Sequence, residues 1–299
     1  MLEEAVEMYI GSLTSSYSRA RKEYNRNTIL AYQNDLHQLC SYLELQFHLE
    51  RWPQVTHEHI AAYIQEMHDG QAYRPTTIAR KLAALKAFFR YLCDTQTLAS
   101  TPIEKLESPR VQKDLPQVLT AEQIGRLLVE VKVETFAGQR DLAMLHMLYS
   151  TGMRVTELMS LNVNDFNKEH ATILCPGRNG RTRRERVLPL PLETVEVTQR
   201  YLAAARPRLV LRHPEERALF VNHHGERLTR QGFWLIVKGY ARLAGIEEIT
   251  PHMLRHSFAL LMLNQGKELR SVQELLGHAH ISTTQVYSQL VRPESTVSV

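Results

Sequence analysis

The sequence predicts a mainly α-helical chain in two domains: an N-terminal four-helix bundle, then a mixed α+β domain containing a small β-hairpin. Three observations predict it. Apolar residues recur at helical spacing through most of the first hundred positions. A basic, proline-containing stretch without periodicity follows. Beyond it, one alternating segment returns on itself across a glycine-containing turn. The expected bounds are 1–107 for the bundle, 108–118 for a linker and 119–299 for the second domain.

In the bundle, Ala5 to Leu13 forms the first helix. Asn27-Thr28 caps the second, with Leu30, Leu36, Leu39, Tyr42 and Leu43 at helical spacing. Thr56 caps the third, which carries Ile60, Tyr63, Ile64 and Met67 and ends near Gly70. Pro75 opens the fourth, with Ile78, Leu82, Leu85, Phe88, Phe89 and Leu92 turned inward. Arg74, Arg80, Lys81, Lys86 and Arg90 fall on the outer faces, as a solvated surface or as contacts to phosphates.

The linker, Ser108 to Val118, has two prolines and several basic residues. Thr120 and Gln123 then have capping-box spacing at a new helix. Arg140 to Tyr149 is an apolar helix broken at Thr151-Gly152, and Arg154 heads the helix after it. Ala171 to Cys175 alternates as a strand, Gly177 to Arg181 turns, and Arg184 to Leu190 returns. A helix from Thr194 to Ala205, the segment Ala218 to Phe220 and a helix from Thr229 to about Leu243 complete this part.

The last part carries the chemistry. Thr250 and Pro251 open a helix on which His252 and Arg255, three residues apart, share a face. Another helix stops at Gly277, with His278 just past the stop, and Ser282-Thr283-Thr284 caps a short helix bearing Tyr287. Cations to hold a phosphate, imidazoles to move protons and a phenol to attack it make a coherent set.

Composition sets outer limits. The 43% hydrophobic and 23% charged content is ordinary for a globular chain of 299 residues with room for two cores. A formal net charge of +4 points only weakly to a polyanionic partner. Cys40, Cys93 and Cys175 fit no disulfide framework or metal site, which indicates a reducing, cytoplasmic setting. No apolar run reaches membrane-spanning length, and the N-terminus lacks a signal pattern.

Ser150 to Leu158, His252-x-x-Arg255, Leu275 to His278 and Ile281 to Tyr287 resemble the signature boxes of tyrosine site-specific recombinases, the phage integrase family, and are most similar to its Xer-type members. The resemblance implies that the bundle is a core-binding, SAM-like domain gripping one face of a DNA duplex. The second domain, the tyrosine recombinase catalytic domain, would hold the opposite face. It implies that Tyr287 attacks a scissile phosphate, leaving a 3′-phosphotyrosyl bond and a free 5′-hydroxyl. Arg154 and Arg255 would neutralise the charge on phosphorus, His252 would orient or deprotonate the nucleophile, and His278 would donate to a phosphate oxygen. Lys81 and Lys86 on the bundle, and Arg181, Arg183 and Arg184 on the hairpin, would contact DNA. His256 and His280 lie off the pattern and are read as structural or surface residues.

The implied partners are a double-stranded recombination site and three further protomers, as a homotetramer or with a paralogous recombinase, acting through a Holliday junction. A regulatory protein partner is compatible with this. The phosphotyrosine conserves the bond energy, so neither metal nor nucleotide is implied.

The family places a lysine at the hairpin turn, whereas this turn is arginine-rich. Arg178 matches by spacing from Arg154, Arg181 matches by counting back from Val187 to Leu190, and Lys168 is the nearest lysine. A weakly active or inactive DNA-binding protein on the same scaffold, and a type IB topoisomerase-like nicking-closing enzyme, are the alternatives. A metal-dependent nuclease would need clustered carboxylates, which the sequence does not offer.

Overall fold

The computed structural model describes residues 1–14, 26–70, 73–103, 115–177, 185–278 and 280–290. It divides into two compact units, Met1–Lys113 and Asp114–Val299. Arg178, Arg181, Arg183 and Arg184, most of the expected linker and the last nine residues lie outside the described residues.

The first unit contains α1 (Leu2–Thr14), α2 (Arg26–Phe47), α3 (His57–Asp69) and α4 (Pro75–Asp94). Thr56 sits in extended backbone as the N-cap of α3, and Pro75 occupies the first turn of α4, where its missing N–H costs nothing. Leu36, Leu39 and Leu43 of α2 meet Leu85, Phe88 and Phe89 of α4 in one core. Trp52 stands edge-on to Phe88 and Phe89 at centroid distances of 4.8 and 5.6 Å. Leu30, expected to face inward, is exposed. Six residues before Leu36 on a 3.6-residue period, it lies about 120° round the helix.

Lys81 corrects the reading of the outer face of α4. It is only 2% exposed, its ammonium lies 3.2 Å from the buried Asp35 carboxylate, and it also donates to Gln38. The Tyr73 ring covers it, with Nζ 5.0 Å from the centroid. A buried lysine needs a counter-charge, and Asp35, which also pairs with Arg80, supplies it. Lys81 therefore holds α2 and α4 together and does not reach outward. Lys86, five residues on, is exposed.

The second unit is built on α6 (Phe136–Thr151), preceded by α5 (Ala121–Val129) and followed by α7 (Val155–Ser160). Strands β1 (Phe166–Asn167), β2 (Thr172–Cys175) and β3 (Arg186–Pro189) form an antiparallel sheet in that order, with Thr172 opposite Pro189 and Cys175 opposite Arg186. The sequence predicted only β2 and β3, because a two-residue strand shows no alternation. Next come α8 (Leu192–Arg200), α9 (Arg206–Leu209), α10 (Arg230–Leu243), α11 (Pro251–Asn264), α12 (Leu269–Leu276) and α13 (Ser282–Gln285), the last running into a 3-10 turn over Val286–Gln289. A π turn at Tyr201–Ala205 joins α8 to α9, so the helix expected to close at Ala205 continues. Buried residues of α6, α8, α10 and α11, with Ile173 and Leu188 of the sheet, make a second core. No described helix is long and apolar enough to cross a membrane.

Candidate active site

Three helix ends build the site. Thr250 accepts a hydrogen bond from the Met253 amide and starts α11, so His252, Arg255 and His256 fall within its first two turns. Gly152 closes α6 in left-handed backbone (φ 59°), and a β-carbon there would stand 2.2 Å from the Phe258 ring, so only glycine fits. The next residues bring Arg154 to the N-cap of α7, where its backbone N–H donates to Glu157 at 2.7 Å. Gly277 ends α12 in the same left-handed way (φ 62°).

The orphan carbonyls at the end of α12 hold three arginines. Arg186 Nε donates to Leu275 O at 2.8 Å. Arg154 donates to Leu276 O and Gly277 O, and Arg255 to Leu276 O at 2.6 Å and to Gly152 O at 2.7 Å. A helix C-terminus carries the negative end of the macrodipole, so it suits this task. Glu157 supplies a shared carboxylate, taking both terminal nitrogens of Arg186 at 3.2 and 3.0 Å and Arg154 Nη1 at 3.2 Å. Burial works against the charge on Glu157, but hydrogen bonding and charge from Arg186, then Arg154, outweigh it and hold the carboxyl at about 2. Among the described residues, three arginines gather around the Glu157 carboxylate and the α12 carbonyls, which leaves an excess of positive charge. Burial, then the charge of Arg154, pulls Arg255 below its usual value, so an anion between the two is favoured.

The phenol of Tyr287 is 2% exposed, packed with Phe258, Val272 and Leu276. Burial raises its pKa, while the charges of Arg255 and Arg154 oppose the rise. Its hydroxyl lies 2.6 Å from His256 Nδ1. The partner of the phenol is therefore His256, which the sequence reading set aside. The available signal was its position one helical turn after His252, on the same side of α11. The two rings lie 6.1 Å apart. Burial, then the charges of Arg255 and Arg154, lowers the His252 pKa. His278 Nδ1 is 2.9 Å from the buried Thr284 hydroxyl. If that hydroxyl donates, the ring proton sits on Nε2, where a donor to phosphate needs it. His280 is exposed.

Arg154, His252, Arg255, His278 and Tyr287 thus come together around the ends of α6, α11 and α12. Arg154, His252 and Arg255 line a cleft of about 500 Å³ with Arg230, Gln231 and Trp234 of α10, residues the sequence analysis did not single out. Cys175 and Arg186 mark the end of the sheet nearest the site. Lys168 is exposed in the turn between β1 and β2, at the other end of β2 and about 10 Å or more away at strand rise. Lys168 as a substitute for the missing lysine is therefore disfavoured by the geometry.

This geometry defines a cationic cleft lined by Arg154, His252 and Arg255, with the buried Tyr287 phenol held by His256 on the same helix as His252 and Arg255. The phage integrase family model matches residues 117–292, and its N-terminal SAM-like domain matches residues 16–96. The chain is 43% identical over 291 residues to a tyrosine recombinase XerC of Roseiflexus castenholzii, covering 97% of this chain and 90% of that protein. It is 42% identical over 270 residues to a tyrosine recombinase XerD of Listeria monocytogenes, covering 89% of each. A lambda integrase dimer bound to a COC′ core site shares the fold, with a TM-score of 0.74 at 14% identity over 100% of this chain and 97% of that one. The chain belongs to the phage integrase family of tyrosine recombinases.

Proposed function

We infer that the protein is a site-specific DNA recombinase acting through Tyr287. The observation that carries this is the Tyr287 phenol, hydrogen-bonded to His256 and acted on by the charges of Arg255 and Arg154, in a chain so closely related to XerC and XerD recombinases. Arg154 and Arg255 would fork the non-bridging oxygens of the scissile phosphate. Arginine stabilisation of this kind is worth roughly 10³ to 10⁵ in rate in other phosphoryl transfers. His252 would lie over the phosphate from the cleft side, and His278 would donate from Nε2. Tyr287 becomes linked to the 3′-phosphate and the 5′-hydroxyl leaves. Attack by the partner strand's 5′-hydroxyl then reverses the chemistry through a Holliday junction. We further propose a cytoplasmic enzyme working as a tetramer on paired duplex sites, of one chain type or with a paralogue. In it, residues 1–107 form the core-binding domain, with Lys86 among its phosphate contacts, and the arginine-rich β2–β3 turn grips DNA.

The test is a nicked suicide duplex carrying the recombination site obtained by selection. Wild-type protein should yield an SDS-resistant adduct that Tyr287→Phe abolishes and EDTA leaves unchanged. Specific binding without an adduct would instead mark a binding protein on this scaffold, and an EDTA-sensitive cut would mark a metal-dependent nuclease.

A further inference from the structure

We propose that His256 is the proton acceptor for the Tyr287 nucleophile, a task the sequence motif alone would give to His252. This rests on Tyr287 being the nucleophile. The phenol oxygen and His256 Nδ1 are 2.6 Å apart, a hydrogen bond at the short end of the range for direct proton transfer. His252 is one turn earlier on α11, and its ring is 6.1 Å from that of His256, so it stands behind the acceptor on the cleft side. The Tyr287 ring packs in one buried cluster with Phe258, Val272 and Leu276, which limits the directions in which its hydroxyl can point.

The electrostatics of the pocket agree with this task. Burial, then His252 and Arg255 nearby on α11, lowers the His256 pKa to about 4. At neutral pH the ring is thus uncharged, with a lone pair to offer. A bound phosphodiester compensates the charge of Arg255 and so removes part of what depresses the ring. The base strengthens when its substrate arrives.

The step balances within these groups. The phenol O–H bond breaks and its proton passes to Nδ1. The freed electron pair forms the O–P bond, and the P–O5′ bond breaks with its pair leaving on the 5′ oxygen, which takes a proton from water. In rejoining, the imidazolium returns its proton to the departing phenolate.

The experiment uses two versions of the suicide duplex, one with the ordinary 5′-oxygen at the scissile bond and one with a bridging 5′-sulfur. A thiolate leaves without a proton, so the sulfur substrate bypasses the acid and still needs the base. His256→Asn places an amide oxygen near the position of Nδ1 and cannot take up the proton. Gel-shift binding equal to wild type shows that it is folded.

The expected result is a fall in single-turnover adduct formation of about 100-fold or more on both duplexes, within the range for a general base. Imidazole added to His256→Ala should raise the rate. Cleavage by His256→Asn at the wild-type rate overturns the proposal, as does a defect that the sulfur substrate repairs, which would place His256 on the leaving-group side. A faster rate would make His256 a latch on a resting tyrosine and overturn it too. These three outcomes leave the recombinase reading intact; no Tyr287 adduct from wild type on either duplex removes both.

Discussion

At the residue scale, the site depends on one buried acid. Glu157 is a carboxylate shared by Arg154 and Arg186, and both lie at the α12 carbonyls. Its carboxyl is held at about 2, below the ordinary 4.5, so its contribution to stability is fully present above pH 4.5 and is lost as the pH falls toward 2. In that window the unfolded chain binds a proton that the native one refuses. The difference is worth about 3 kcal/mol at about 1.4 kcal/mol per tenfold. His256 adds a loss of the same sign at higher pH, between 6.5 and about 4, since its native form resists protonation. Glu157→Gln should therefore unfold at lower urea at pH 7, because two arginines lose their counter-charge. It should also show a flatter fall in stability between pH 4.5 and 2. An unchanged slope across that window would mean that the carboxylate is not held by the arginines.

At the scale of elements, two glycines illustrate opposite requirements. Gly152 needs left-handed backbone and lacks room for a β-carbon against Phe258, and its carbonyl orients Arg255. Gly152→Ala should cost about 2 kcal/mol or more in urea unfolding and depress cleavage further by displacing Arg255. Gly239, in the middle of α10 with nothing within 4 Å of its missing β-carbon, should gain about 0.5–1 kcal/mol as Gly239→Ala. Equal effects at the two positions would mean that the packing at the end of α6 yields easily. The same local chemistry explains what the sequence discloses. Helices opened by Thr56, Thr120, Thr229 and Thr250 were readable because caps and apolar periodicity coincide there. The strand β1 and the π turn at Tyr201 were not, since both are set by tertiary pairing and not by local pattern. The arginines, His278 and Tyr287 were readable as motifs. Their holder was hidden, because the carbonyls of Leu275, Leu276 and Gly277 have no residue signature. The His256 contact to the phenol was hidden too, because it joins segments 31 residues apart.

At the scale of the whole molecule, charge position matters more than charge total. With a formal net charge of only +4, the protein cannot hold a duplex by bulk attraction, so its affinity must come from particular cations placed at phosphates. Each cation that neutralises a phosphate contributes about 0.9 to the slope of log affinity against log salt. Lys81 and Lys86, both on α4, make the distinction measurable. Lys81 has Asp35 and Gln38 as partners and the Tyr73 ring above it, so it has no charge to lend to DNA. Lys81→Met should leave the salt slope of specific binding unchanged and lower the thermal stability of the first unit, by stranding Asp35 beside Arg80 alone. Lys86→Ala should flatten the slope by about one, weaken binding similarly on specific and random duplexes, and leave stability nearly as it was. Fluorescence anisotropy titrations from 50 to about 200 mM salt check both. A reduced slope for Lys81→Met would show that DNA draws this lysine out of its pair with Asp35, and an unchanged slope for Lys86→Ala would remove it from the DNA-binding face.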